Sequence, residues 1–182
     1  MNLPNKITMF RVVLIPFFVF FMLSEHIAYH NYIAVAIFIV ASLTDMLDGK
    51  IARKYNLVSN FGKFMDPLAD KLLVSSAMIC FVALPSNPMP AWVVIVIIAR
   101  EFIISGFRLV ASDAGVVIAA SYWGKIKTVT QMIMSILLIV NFDGDIINIV
   151  EYVFIYAALI LTVISLVDYM VKNWSVMRDG NM

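Results

Sequence analysis

The chain has 182 residues, 63% of them hydrophobic and only 14% charged, with a mean hydropathy of +0.95. Those values exclude an ordinary soluble domain and point to a single integral membrane domain spanning 1–182. A net charge of +1 gives no basis for nucleic-acid binding, and the single cysteine, Cys80, excludes an internal disulfide.

Taken in chain order, the apolar stretches are interrupted around 24–26, at 45–71, at 85–90, at 112–127 and at 141–145. These breaks predict six spans, at roughly 5–23, 31–50, 66–84, 91–110, 123–141 and 149–172. The expected fold is therefore all-α, a six-transmembrane-helix bundle. Residues 2–8 read as an amphipathic lead-in lying on the membrane. The first span is not expected to be a cleaved leader, because Arg11 interrupts its start, Pro16 its middle, and no small-x-small site precedes Glu25. Cys80 lies mid-span, where a buried apolar role is expected. Trp92, Trp123 and Trp174 read as interface anchors.

Charge placement fixes the expected orientation. All thirteen Lys and Arg fall on one side of this topology, from Lys6 and Arg11 through Lys50–Lys71, Arg100, Arg108, Lys125 and Lys127 to Lys172 and Arg178. The other side carries Glu25, Asp143, Asp145 and Glu151. Because basic residues are retained on the cytoplasmic side, both termini and the 45–71 segment are predicted to be cytoplasmic in a multi-pass cell-membrane protein. The uncharged runs 12–24, 31–44, 128–142 and 152–167 are each shorter than the ~20 apolar residues that cross the hydrocarbon. The helices must then end in polar cytoplasmic turns, which puts Asp45, Asp48, Asp66 and Asp70 in a polar cavity at that boundary.

Four carboxylates in so oily a chain require neutralisation, since an Asp at the centre of a membrane helix is disfavoured by about 2.5–3.5 kcal/mol. Asp45 and Asp48 are three residues apart and Asp66 and Asp70 four apart, so each pair occupies one helical face, its members about 40–60° apart. Two successive helices can present all four oxygens to one point. Hard oxygen ligands without nearby His or Cys suit Mg²⁺ or Mn²⁺, and two such ions would balance four negative charges. Gly49, Ala52 and Gly62 leave room beside the acids for a bulky ligand, while Arg53 and Lys63 offer positive charge to phosphate oxygens.

The pattern Asp45-x-x-Asp48-Gly49-x-x-Ala52-Arg53, eight residues, Gly62-x-x-x-Asp66-x-x-x-Asp70 resembles the signature of the CDP-alcohol phosphatidyltransferases at every fixed position and gap. The resemblance implies transfer of a phosphatidyl group from CDP-diacylglycerol to an alcohol, with release of CMP, at a dimetal active site. Carried over residue by residue, Asp45, Asp48, Asp66 and Asp70 would hold the metals, and Asp70 would also act as general base. Asn5, Thr8, Gly49, Ala52, Arg53, Ser59 and Gly62 would lie against the CDP-diacylglycerol. The resemblance also implies a homodimer.

The acceptor must be read outside that signature. Arg100, Arg108, Lys125 and Lys127, with Arg11 from the first helix, form a cationic set suited to an acceptor that itself carries a phosphate. The stretches 100–108 and 120–131 are similar to the phosphatidylglycerophosphate synthase branch of the family, which implies sn-glycerol-3-phosphate as acceptor. Inositol phosphate, serine and glycerol remain alternatives within the family. Two further classes are an intramembrane prenyltransferase, which would be expected to have more spans, and a divalent-cation transporter, whose site would be expected near the midplane between repeats.

Overall fold

In the computed structural model the described residues are 2–24, 26–54, 60–113, 116, 118–119 and 121–174. The side chains of 46–54, 60–61, 63–64, 67, 70 and 113 lie outside that description. Six helices form: α1 (Leu3–Leu23), α2 (His30–Lys54), α3 (Asn60–Ala83), α4 (Ala91–Asp113), α5 (Tyr122–Val140) and α6 (Asp145–Lys172). Each overlaps one expected span, and no strand occurs among the described residues. Helix is what an apolar segment must adopt in lipid, because only helices satisfy every backbone N–H and C=O within the segment.

Three helices, α1, α5 and α6, are long and apolar enough to cross a membrane. In α2 and α3 the apolar portions are shorter, at His30–Asp45 and Lys71–Ala83, and both helices run past them through the acidic segment. The apolar run therefore marks where lipid can be, whereas backbone hydrogen bonding decides where the helix ends. Residues 2–8 likewise do not form a separate lead-in. Asn2 caps α1, its Oδ1 accepting from the Asn5 N–H at 3.1 Å, and Pro4 sits in the first turn, so residues 3–8 are simply the first turns of α1.

The chain divides into two compact units, Met1–Asn87 with Leu138–Asn141, and Pro88–Leu137 with Phe142–Met182. In the first, α1 lies against both α2 and α3. The buried positions of α1 are Pro4, Asn5, Thr8, Arg11, Ile15, Phe18 and Met22, a spacing of three to four that keeps them on one face. Small residues let the helices approach: Ala34 and Ala41 on α2 and Ala69 and Ala77 on α3 are all at most 1% exposed. The C-terminal carbonyls of α5 are tied down by side-chain amides, with Asn87 Nδ2 donating to Leu138 O at 3.2 Å and Asn31 Nδ2 to Val140 O at 3.4 Å. Asn141 then leaves the helix at φ 51°, a conformation Asn tolerates better than most residues. Cys80 is buried and free, as its mid-span position implied. In the second unit α4 lies against α6.

Phe18 and Phe38 meet in the first unit with ring centroids 5.8 Å apart, and both are at most 1% exposed, whereas Phe20 on the same helix is 57% exposed. Phe38→Ala should therefore destabilise the fold by about 3–5 kcal/mol, read as a lower unfolding midpoint in detergent. Phe20→Ala should leave the midpoint nearly unchanged.

Candidate active site

The buried stripe of α1 is polar in its first turns and apolar beyond, and the polar part reaches the acids. Thr8 and Arg11, three residues apart, are both 0% exposed. The Thr8 hydroxyl donates to Asp66 Oδ1 on α3 at 2.7 Å, a shorter contact than the 3.2 Å to its own-turn Pro4 carbonyl. Arg11 Nη1 donates to Asp45 Oδ1 on α2 at 2.6 Å. One helix thus orients a carboxylate on each of its two neighbours. The Asp45 side chain is 38% exposed. Gly62, near the start of α3, is buried.

The backbone is helical at all four Asp positions. The side chains of Asp48 and Asp70 lie outside the described residues, as do those of Gly49, Ala52 and Arg53 and the whole of Ser59. Among the described residues no group of three or more His, Cys, Asp or Glu converges. Asp45 and Asp66, carboxylates on adjacent helices each steadied by a donor from α1, are hard-oxygen ligands of the type a divalent cation takes. The two ligands that are described therefore suit such an ion.

In the second unit the cations divide into two classes. Glu101, next to Arg100 on α4, accepts from Arg100 Nη1 at 3.0 Å and from Lys127 Nζ on α5 through the same Oε1. Arg100 and Lys127 are 9% and 2% exposed. Local sequence supports this placement. The Ser121 hydroxyl accepts from the Gly124 N–H at 3.1 Å and starts α5, and Gly124 keeps space open where a Cβ would come within 3.6 Å of Arg100 Nη2. Arg108 and Lys125, by contrast, are exposed and have no ion pair among the described residues.

The sequence reading treated Arg11, Arg100, Arg108, Lys125 and Lys127 as one cationic set. The structure pairs Arg11, Arg100 and Lys127 with carboxylates, and among the described residues Arg108 and Lys125 have none. Glu101 was passed over, although a lone carboxylate in an apolar helix signals a cation held against it. Asn5 is buried in the first turns of α1 beside Thr8.

The sequence profile of the CDP-alcohol phosphatidyltransferases matches residues 1–164. The chain belongs to the CDP-alcohol phosphatidyltransferase family. It is 45% identical to a Bacillus subtilis protein named CDP-diacylglycerol–glycerol-3-phosphate 3-phosphatidyltransferase, over 99% of both chains. A Haemophilus influenzae protein of the same name is 38% identical over 93% of this chain and 91% of its own, and one from Rickettsia felis is 36% identical over 92% and 93%. CDP-alcohol phosphatidyltransferases use divalent metal ions, in keeping with the oxygen ligands on α2 and α3.

Removing one member of a buried ion pair strands the other. Glu101→Ala should therefore destabilise the protein by about 3 kcal/mol, seen as a lower unfolding midpoint. The double variant Glu101→Gln with Lys127→Met should recover most of the loss, because no buried charge is then left alone.

Proposed function

We propose that the chain is an integral membrane enzyme that transfers the phosphatidyl group of CDP-diacylglycerol to sn-glycerol-3-phosphate, giving phosphatidylglycerophosphate and CMP. The observation that carries this reading is the complete Asp/Gly/Ala/Arg signature at 45–70 within a chain 45% identical over its length to a relative named for that reaction. On this reading the chain works as one catalytic domain with six membrane crossings, both termini and the acids on the cytoplasmic side, supported by the one-sided distribution of Lys and Arg. A homodimer is the assembly the family resemblance favours.

Asp45, Asp48, Asp66 and Asp70 would hold two divalent ions, Mg²⁺ or Mn²⁺, which when bound neutralise the diphosphate and stabilise the departing CMP. The acceptor hydroxyl attacks the phosphorus that carries diacylglycerol, the P–O bond to CMP breaks, and the hydroxyl proton passes to the Asp70 carboxylate. Thr8 and Arg11 fix the orientation of Asp66 and Asp45. Asn5, Gly49, Ala52, Arg53, Ser59 and Gly62 form the donor side, where small residues admit the nucleotide and Arg53 meets its phosphates bidentately. Arg108 and Lys125, the two cations without a carboxylate partner, take the acceptor's phosphate. Arg100 and Lys127 shape that surface from beneath, through Glu101.

The test is CMP release from CDP-diacylglycerol with glycerol-3-phosphate, inositol phosphate, serine and glycerol supplied in turn. Turnover with glycerol-3-phosphate alone is expected, and activity with another acceptor but none with glycerol-3-phosphate would reject the assignment. Metal flux into liposomes without CMP release would favour a transporter instead. Asp70→Asn should abolish turnover while leaving the fold intact. Arg108→Ala and Lys125→Ala should raise the KM for the acceptor more than that for CDP-diacylglycerol. Thr8→Val should weaken Mn²⁺ binding by about 10–100-fold, measured by the electron paramagnetic resonance signal of free Mn²⁺ with no substrate present.

A further inference from the structure

A cavity of about 470 Å³ lies between the end of α6 and the residues that lead into α5, a size that admits a small organic group. All of its lining residues belong to the second unit. Part of the lining is apolar, formed by Val116, Ile118 and Ala119. The rest is polar. The Ser121 Oγ accepts from the Gly124 N–H, which leaves its own proton to donate, and Asn173 spends one amide proton on the Tyr169 carbonyl at 2.8 Å and keeps a second. Lys172 Nζ lies 2.7 Å from Asp168 Oδ1, one turn back on α6, yet its side chain stays 60% exposed, so the ammonium has further protons to give.

The acids nearby do not enter this space. No described Asp or Glu lines the cavity, and the second oxygen of Asp168, Oδ2, is shut off from solvent, as is the Tyr169 Oη. One cation and several donors therefore line the cavity beside an apolar surface. Its level is set by α6, which is long and apolar enough to cross a membrane and ends at Lys172, so the cavity lies where hydrocarbon gives way to headgroups. Tyr122, Trp123 and Trp174 are exposed around it, the placement of aromatic side chains at a membrane interface.

We propose that this cavity binds an anionic phospholipid, with the lipid's phosphate on Lys172, Ser121 and Asn173 and its glycerol ester region along Val116, Ile118 and Ala119. A free phosphate would use the donors and leave the apolar surface uncovered, whereas a phospholipid presents both chemistries together, and basic pockets at the ends of membrane helices are where anionic headgroups settle. The single cation at the cavity selects a headgroup of uncompensated negative charge over a zwitterionic one, whose own cation Lys172 would repel. None of the residues assigned above to either substrate lines the site, so the inference stands apart from the transfer reaction.

The test is native mass spectrometry of the full-length protein in detergent micelles doped with equal amounts of dioleoylphosphatidylglycerol and dioleoylphosphatidylcholine, with no substrate or divalent metal present. Phosphatidylglycerol should be retained about fivefold over phosphatidylcholine. Lys172→Gln should abolish the preference, and so should Ala119→Trp, which fills the space without changing the charge. Lys6→Gln, at an exposed cation of the first unit, should keep it. Equal retention of the two lipids by the unaltered protein overturns the inference, as does a preference that survives Lys172→Gln or a folded Ala119→Trp. An equal loss in Lys6→Gln would assign the preference to overall charge, and displacement of the retained lipid by millimolar inorganic phosphate would make the cavity a site for free anions; either result also overturns it. Because Lys172 is exposed, its replacement leaves the fold intact and decides the question if Ala119→Trp does not fold.

Discussion

Charge in a low-dielectric setting has to be neutralised where it stands, and Arg11 on α1 and Arg100 and Lys127 in the second unit are placed by that demand. Arg11 has no exposed surface and lies 2.6 Å from Asp45, and Lys127, at 2% exposed, lies against Glu101. Had Arg11 been an isolated cation, it would have destabilised the start of α1 and with it the helix that contacts both α2 and α3. Paired, it works as a strap. The same side chain that the first helix must neutralise sets the orientation of a carboxylate on the second, and Thr8, one turn away, does so for the third.

This arrangement separates two jobs that look identical in sequence. A Lys or Arg near a membrane boundary can anchor the helix, neutralise an acid or capture an anion, and only its partners distinguish these. Arg100 and Lys127 share one carboxylate oxygen, so much of their positive charge is already compensated inside the protein. Arg108 and Lys125 are exposed and have no ion pair among the described residues.

The positions of all six helices were legible in the sequence because interruptions in apolar runs are a strong signal, and their polar extensions were not, because hydropathy says nothing about where hydrogen bonding stops. α2 continues to Lys54 and α3 begins at Asn60, through residues the apolar pattern assigns to a connection. The spacing of the acids put each pair on one helical face, and the backbone is helical at all four positions, with the side chains of Asp48 and Asp70 outside the described residues. Their supporting donors were only half legible: Thr8 and Arg11 stood out as polar residues at the start of an apolar helix, but the spacing that puts both on the buried face of α1 was read as substrate contact rather than as support for the carboxylates. Glu151 shows the limit in the other direction. Charge placement put it on the side opposite the Lys and Arg, yet it is 1% exposed, with Oε1 lacking a partner among the described residues, and nothing in the structure accounts for that burial.

The two polar regions are chemically opposite, and the reaction asks for that opposition. In the first unit the functional groups are acceptors, carboxylates on α2 and α3 met by donors from α1, which is the chemistry that retains metal cations and takes up a proton from an attacking hydroxyl. In the second unit Glu101 accepts from Arg100 and Lys127, and Arg108 and Lys125 are exposed; on the proposed function these last two would meet the acceptor's phosphate. An enzyme joining a diphosphate donor to a phosphate-bearing alcohol faces two anions that repel each other. It cannot treat both with bare cationic side chains without losing the distinction between them. On the proposed function, carboxylate-held metal ions would take the diphosphate and protein donors the acceptor phosphate, so that each substrate would be recognised by ligands the other would not satisfy.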